Sequence, residues 1–309
     1  MPLYPRPDKM RRYIEPFVGS GAVFFHVWNL FRPRKVILAD NNEDLMNVYS
    51  AIRDDVDGVI RCLARHKAAH SYDYYYRVRA QKPRRLSRVS NAARIIYLNK
   101  TCFNGLYRVN SHGEFNVPIG RYANPRILDT DNLRAVASAL RGIELKVAHF
   151  SETPKYARKG DFIYFDPPYH PLSQTSYFTS YTRASFQDSD QARLADVYSA
   201  LDERGCLLML SNSDTPFIRQ LYRRFVVNTW TVRARRSINS KADRRGRISE
   251  LVVLNYDACA SALMTNSPSI PFGNPGQGTT MIPGQTRGEP SADTVEVTSP
   301  EVVRAGPRD

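Results

Sequence analysis

Short apolar runs bounded by polar or turn-forming residues recur along the chain at 34–39, 144–150, 161–165, 206–211, 225–232 and 250–256, with helical patterns between most of them. An earlier run, Tyr13-Ile14-Glu15, leads through a glycine turn into a helix start. Strands that alternate with helices predict an α/β fold built on a mostly parallel, doubly wound sheet. The last two runs are joined by the basic loop 233–249 and predict an antiparallel edge pair.

Residues 41–143 are far too many for a single crossover, and they contain helix-like runs at 43–66, 70–80 and 88–98. Between these and a further helix at 129–141, capped by Asp129 or Asp131, Arg108 to Phe115 reads as two short strands around a glycine turn, a β-hairpin. The expected division is a sheet domain of residues 1–55 and 129–257 and an inserted helical domain of residues 56–128. From 258 to 309 the chain turns to Pro, Gly, Ser and Thr, as in Ser267-Pro268-Ser269-Ile270-Pro271, which predicts a disordered tail.

Charge sharpens this picture. The 309 residues carry a formal +14, yet residues 257–309 hold three basic side chains against six acidic ones, leaving +17 on residues 1–256. A folded part this basic suits a polyanion. Arg77, Arg79, Lys82, Arg84, Arg85 and Arg88 are interleaved with Tyr72, Tyr74, Tyr75 and Tyr76, and a second cluster runs from Arg233 to Arg247. Cys62, Cys102, Cys206 and Cys259 lack zinc-ribbon or disulfide spacing, and no apolar stretch is long enough to span a membrane. His66 and His70 stand four apart with no third ligand nearby, so they read as exposed histidines and no metal site is expected.

The chemistry concentrates at Asp166-Pro167-Pro168-Tyr169, directly after the strand Phe162-Ile163-Tyr164-Phe165. A strand that stops in a rigid Pro-Pro turn presents a carboxylate, a backbone carbonyl and an aromatic face to one crevice. Such a site fits a flat base with an exocyclic amine, whose two hydrogens Asp166 Oδ and the Pro167 carbonyl can accept while Tyr169 stacks on the ring. In Phe17-Val18-Gly19-Ser20-Gly21, glycines allow close approach of a ligand, and Asp40 ends the next strand in a position suited to a ribose diol. Neither the dinucleotide fingerprint nor the phosphate-cradling loop occurs, which leaves a nucleoside without phosphates, of which S-adenosylmethionine is one.

These strings together resemble the Dam-type, D12 class DNA adenine-N6 methyltransferases. The resemblance rests on Glu15 to Gly21, Asn99 to Asn110, Gly113 to Pro118 with Gly120-Arg121-Tyr122, Asp166 to Ser173, Phe178 to Tyr181 and Glu250-Leu251, in the family's order. It implies a class I methyltransferase sheet with an inserted DNA-recognition domain, S-adenosyl-L-methionine as cofactor and double-stranded DNA as substrate. Asp40 would bind the cofactor ribose, and Glu15, Phe17, Gly19, Gly21, Phe150 and Asp166 would line its pocket. Phe103 would wedge into the base stack. Leu106, Arg108 and Pro118 match base-reading positions, Lys100, Asn104, Asn110 and Arg121 nearby polar contacts, and Ser173 a residue beside the extruded nucleotide. The implied target tetranucleotide is GATC.

Proteins of this type usually open with a Trp-x-Gly-Gly-Lys-like string, whereas this chain begins Met1-Pro2-Leu3-Tyr4-Pro5. Either the start lies upstream or part of the methionine pocket is missing. Two alternatives therefore stay open beside adenine-N6 methylation: cytosine-N4 methylation by the same turn, and a catalytically impaired DNA-binding remnant. The expected setting is a cytoplasmic, nucleoid-associated monomer, with a cognate restriction endonuclease as a further partner in a restriction-modification pair.

Overall fold

The computed structural model describes residues 3–110, 112–172, 186–235 and 247–258. Its seven strands are β1 (Tyr13–Glu15), β2 (Val36–Asp40), β3 (Glu144–Val147), β4 (Phe162–Phe165), β5 (Leu207–Ser213), β6 (Thr229–Arg235) and β7 (Arg247–Leu254). They form one sheet in the order β3-β2-β1-β4-β5-β7-β6. The first five are mutually parallel, and β7 runs antiparallel to both β5 and β6. This is the mostly parallel α/β sheet, with an antiparallel pair at one edge, that the apolar runs predict.

Alternation along each strand sorts the core into two layers. Tyr13, Leu38, Phe162, Tyr164 and Met209 face α1 (Ala22–Phe31), α2 (Glu43–Ala69), α4 (Arg88–Thr101) and α5 (Thr130–Leu140). Ile14, Ile37, Ile163, Phe165 and Leu208 face the short α6 (Thr153–Tyr156), α7 (Asp188–Glu203) and α8 (Pro216–Leu221). Because β4 is buried on both faces, its sequence is a continuous apolar run, whereas β1, equally buried, ends in Glu15. Each such fully buried large side chain contributes about 1.5–3 kcal/mol.

Helix starts follow side-chain caps. Asn42 accepts from the Leu45 amide at 3.2 Å, Ser87 from Ser90 at 3.1 Å, and Asp129 from Asn132 at 3.1 Å, so Asp129 rather than Asp131 caps α5. Ser71 caps α3 (Tyr72–Arg79) through the Tyr74 amide at 3.2 Å. Within α2 the backbone leaves helical geometry at Asp55, whose Oδ1 accepts from the Gly58 amide at 2.9 Å and so restarts the helix with a cap of its own.

Three expectations are corrected. The run 225–232 is a strand only from Thr229; Arg223–Asn228 is a 3-10 turn, because Phe225 packs on Tyr198 with ring centroids 4.9 Å apart and leaves Val226 and Val227 exposed. β3 stops at Val147 instead of 150, since Phe150 turns into the core within a 3-10 segment whose backbone is held by a capping box between His149 and Glu152. His66 and His70 are half-buried rather than exposed, and their Nδ1 atoms lie 2.9 Å from the Tyr74 and Tyr97 hydroxyls respectively. The hairpin is present as a single antiparallel bridge, Val109 with Phe115. Ala258 is buried, and the tail from 259 lies outside the described residues, as do Ser173 and much of the second basic cluster.

Candidate functional site

The strand order turns outward in both directions between β1 and β4, and the carboxyl ends of these two parallel neighbours open a crevice there. On the β1 side the chain passes through Phe17 to Gly19 and Gly21, both at positive φ (47° and 74°). A Cβ on Gly21 would lie 2.5 Å from the Tyr49 hydroxyl, so glycine is required twice over, by conformation and by space. Tyr49 donates to the Gly19 carbonyl at 3.0 Å, and Asp40 accepts from the Gly19 amide at 3.1 Å and from the Asn42 amide at 3.0 Å. The glycine turn and the end of β2 are thus one hydrogen-bonded unit.

On the β4 side Asp166 follows directly, with Pro167 buried and Pro168 and Tyr169 exposed. The Tyr169 hydroxyl donates to Glu250 Oε2 on β7 at 3.4 Å. Glu15, at the end of β1, is fully buried and accepts from the Tyr13 hydroxyl at 2.6 Å. Phe17 stacks on Phe150 with centroids 5.3 Å apart, and Phe186 meets both rings.

Four carboxyls therefore share the crevice. Burial pushes the Asp166 carboxyl up to about 7, assisted by the charge of Glu250 and opposed by the Tyr169 hydroxyl. Burial also raises Glu250 and Asp40, the latter held back by backbone amides. Glu15 is raised well above the usual carboxylate range by burial, against the hydrogen bond from Tyr13 and with the charges of Asp166 and Asp40 adding to the rise. An acidic hollow floored by glycines suits a cationic ligand, and a carboxylate beside an aromatic face suits an amine on a flat ring.

A second group surrounds the end of α4. Phe103 and Leu106 are 49% and 47% exposed, and Asn104, Arg108, Pro118 and Arg121 are exposed as well, whereas Lys100 and Asn110 are half-buried. The Phe103 amide donates to the Pro118 carbonyl at 2.9 Å, bringing those two residues together. Arg108 Nε donates to Asn116 Oδ1 at 2.8 Å, and Asn110 Oδ1 takes the His112 and Glu114 amides at 3.0 Å each, so Asn110 holds the turn. Lys82 pairs with Glu114 from outside. An exposed Phe and Leu beside an Arg, on a segment tied down by polar turns, is a surface built for contact.

Sequence reasoning gives Glu250 no role beyond completing a string, and it misses Tyr49 and Tyr107. Tyr107 stands between Leu106 and Arg108 and donates to Asp44 Oδ2 at 3.1 Å, tying the exposed loop to the first turn of α2. Its neighbours in sequence give no sign of that long-range bond. Among the described residues no cluster of metal-ligating side chains occurs, and no helix is long and apolar enough to cross a membrane.

Residues 4–238 match the family described as D12 class N6 adenine-specific DNA methyltransferase. A type II methyltransferase of Methanocaldococcus jannaschii, M.MjaIII, is 44% identical over 263 residues, covering 81% of this chain and 90% of that protein. M1.LlaDCHI of Lactococcus lactis subsp. cremoris, also a type II methyltransferase, is 41% identical over 259 residues, covering 82% and 89%. The DNA adenine methylase of Escherichia coli K12 is 33% identical over 261 residues, covering 81% and 91%.

Proposed function

Because the chain belongs to the D12 class N6 adenine-specific DNA methyltransferases, we propose that its crevice moves a methyl group from S-adenosyl-L-methionine to N6 of an adenine turned out of duplex DNA. The position of Asp166 carries this reading: a carboxyl directly after β4, beside the end of its parallel neighbour β1, and followed by Pro167, Pro168 and Tyr169. The lone pair of an aromatic amine is delocalised into its ring. Accepting both amine hydrogens, at Asp166 Oδ and the Pro167 carbonyl, localises that pair on nitrogen. Tyr169 stacks on the base, and extrusion is required because the amine is paired inside the helix.

The residues present fit the cofactor. Its sulfonium and ammonium charges suit the acidic hollow of Glu15, Asp40, Asp166 and Glu250, and the carboxylate of Asp40 suits a ribose diol. Phe17, Gly19 and Gly21 wall the methionine end, and Phe150 backs Phe17. When bound, the cofactor supplies an electrophilic methyl group.

DNA is held by the exposed loop after α4. Phe103 fills the space the adenine leaves, Leu106, Arg108 and Pro118 read base edges, and Lys100, Asn104, Asn110, Arg121 and Ser173 contact the strand around them. An arginine that meets guanine O6 and N7 together, beside apolar Leu and Pro, supports GATC as the target. The polypeptide acts as a cytoplasmic monomer on nucleoid DNA with S-adenosyl-L-methionine, residues 56–128 forming the recognition domain, and a cognate restriction endonuclease is its partner. The family match to adenine-specific enzymes disfavours cytosine-N4 transfer. Long-read sequencing of plasmid from cells expressing the chain tests the whole reading: N6-methyladenine confined to one short motif is expected, and unmodified DNA or N4-methylcytosine refutes it.

A further inference from the structure

Two fully buried amide side chains lie directly behind the turn at the end of β4, outside the residues that face the crevice. Gln191 on α7 is 1% exposed and Asn212 on β5 is 0% exposed. Gln191 Nε2 donates to the Pro168 carbonyl at 2.9 Å, Asn212 Nδ2 donates to Gln191 Oε1 at 3.0 Å, and Asn212 Oδ1 accepts from the His170 amide at 3.0 Å and the Ser213 amide at 2.8 Å. The chain of bonds also fixes each amide's orientation, since a flipped Gln191 would set oxygen against the Pro168 carbonyl.

Burying two primary amides between a helix and a sheet is costly unless every polar atom is engaged. A leucine at 191 would pack more simply, so what the pair holds in place matters. It holds the Pro168 carbonyl and the His170 amide, the groups of the two peptide planes on either side of the Tyr169 Cα. Proline rings fix φ at 167 and 168 but leave ψ of Pro168 and both torsions of Tyr169 unrestrained. Tyr169 is 38% exposed, so packing alone does not fix its ring.

We propose that Gln191 and Asn212 are positioning residues for methyl transfer: together they clamp the backbone on both sides of Tyr169, setting the height of its ring and the direction of the preceding carbonyls toward the target amine. The inference rests on the reading of Asp166 to Tyr169 as the place where the base is held. The His170 ring is held separately, by Thr215 Oγ1 at 3.2 Å and Asp188 Oδ1 at 3.4 Å, so a change at Gln191 tests the backbone clamp without removing those contacts.

Gln191→Leu keeps the volume and removes the donor, and Gln191→Glu can donate to the Pro168 carbonyl only when protonated. Single-turnover transfer of tritiated methyl to a GATC duplex, with enzyme and cofactor saturating, is expected to fall at least tenfold in Gln191→Leu. Binding of S-adenosylhomocysteine and of duplex should stay within threefold. Gln191→Glu should be slow at pH 8 and recover relative to the parent as the pH is lowered to 6, a slope that a merely structural role would not produce. Deuterium uptake of the peptide 166–172 should be at least tenfold faster in Gln191→Leu than in the parent.

Transfer within twofold of the parent, or unchanged uptake at 166–172, overturns the clamp. So does a joint loss of transfer, binding and melting temperature in both variants. Absence of transfer by the unsubstituted chain refutes instead the reading of the site beneath the proposal, whereas an active parent with an unslowed variant refutes the clamp alone.

Discussion

The Tyr169 hydroxyl lies 3.4 Å from Glu250 Oε2, so the aromatic side chain of the β4 turn is tied to strand β7 across β5. The bond places a second carboxyl beside Asp166. Two acids at one mouth cannot ionise independently, and burial followed by the charge of Glu250 pushes Asp166 up to about 7.

In the proposed reaction an ionised Asp166 is a stronger acceptor for the amine hydrogen than a protonated one, so kcat/KM should rise with pH to a plateau above about 7. Glu250→Gln removes a negative charge and lowers the Asp166 pKa, so the acid limb should move to lower pH. Steady-state methyl incorporation between pH 5.5 and 9 measures this, and a limb that stays put or moves upward contradicts the coupling.

Asp166→Asn should reduce transfer at least a hundredfold and yet stabilise the fold. A carboxyl whose folded pKa lies above its unfolded value gives stability that is complete below the unfolded pKa and lost as pH rises through the folded one, here between about 4 and 7. The variant should therefore melt about 2–4 °C above the parent at pH 8, with the gap closing toward pH 4.5. An equal gap at both pH values would remove burial of the charge as its cause.

Gly21→Ala meets both a positive φ and the Tyr49 hydroxyl at 2.5 Å. The expected cost is about 1–3 kcal/mol of stability, with weaker cofactor binding because the Gly19–Tyr49–Asp40 unit must shift. Thermal melts and calorimetric titration with S-adenosylmethionine report the two effects, and unaltered affinity would separate the turn from the cofactor.

Replacing Arg108 with alanine should cost about 1–3 kcal/mol of discrimination at one base pair while leaving binding to nonspecific duplex nearly intact. Competition between the target and its single-base variants measures it. A uniform loss across all sequences would place Arg108 on phosphate instead.

Asp161 is wholly buried just before β4 and accepts from Arg12 Nε at 2.9 Å and from the Arg158 amide at 2.7 Å, joining the starts of β1 and β4. Asp161→Ala leaves the guanidinium without its partner and should cost about 3–5 kcal/mol, read from urea denaturation, with the methylation rate per folded molecule unchanged.

The fold was legible wherever burial is two-sided. Continuous runs such as Phe162-Ile163-Tyr164-Phe165 have few other solutions, and local capping chemistry narrows the start of α5 to Asp129 or Asp131, of which the fold selects Asp129. Phe225-Val226-Val227 misled because β-branched and aromatic content registers a preference for strand but not whether a neighbouring strand is available. In the site, Asp166 and the glycine turn were visible because their chemistry is contiguous in sequence. Bonds such as Tyr107 to Asp44 and Tyr169 to Glu250 join residues 63 and 81 positions apart, and only the fold brings them together.

Strands β2 and β3 lie side by side, so the long segment between them leaves the sheet and returns at neighbouring positions on one flank. Part of it packs against the sheet, and Tyr49 in α2 donates to the Gly19 carbonyl at 3.0 Å, so the segment and the glycine turn are not independent. A change of sequence there can therefore reach the glycine turn through Tyr49 while the order of the strands stays as it is.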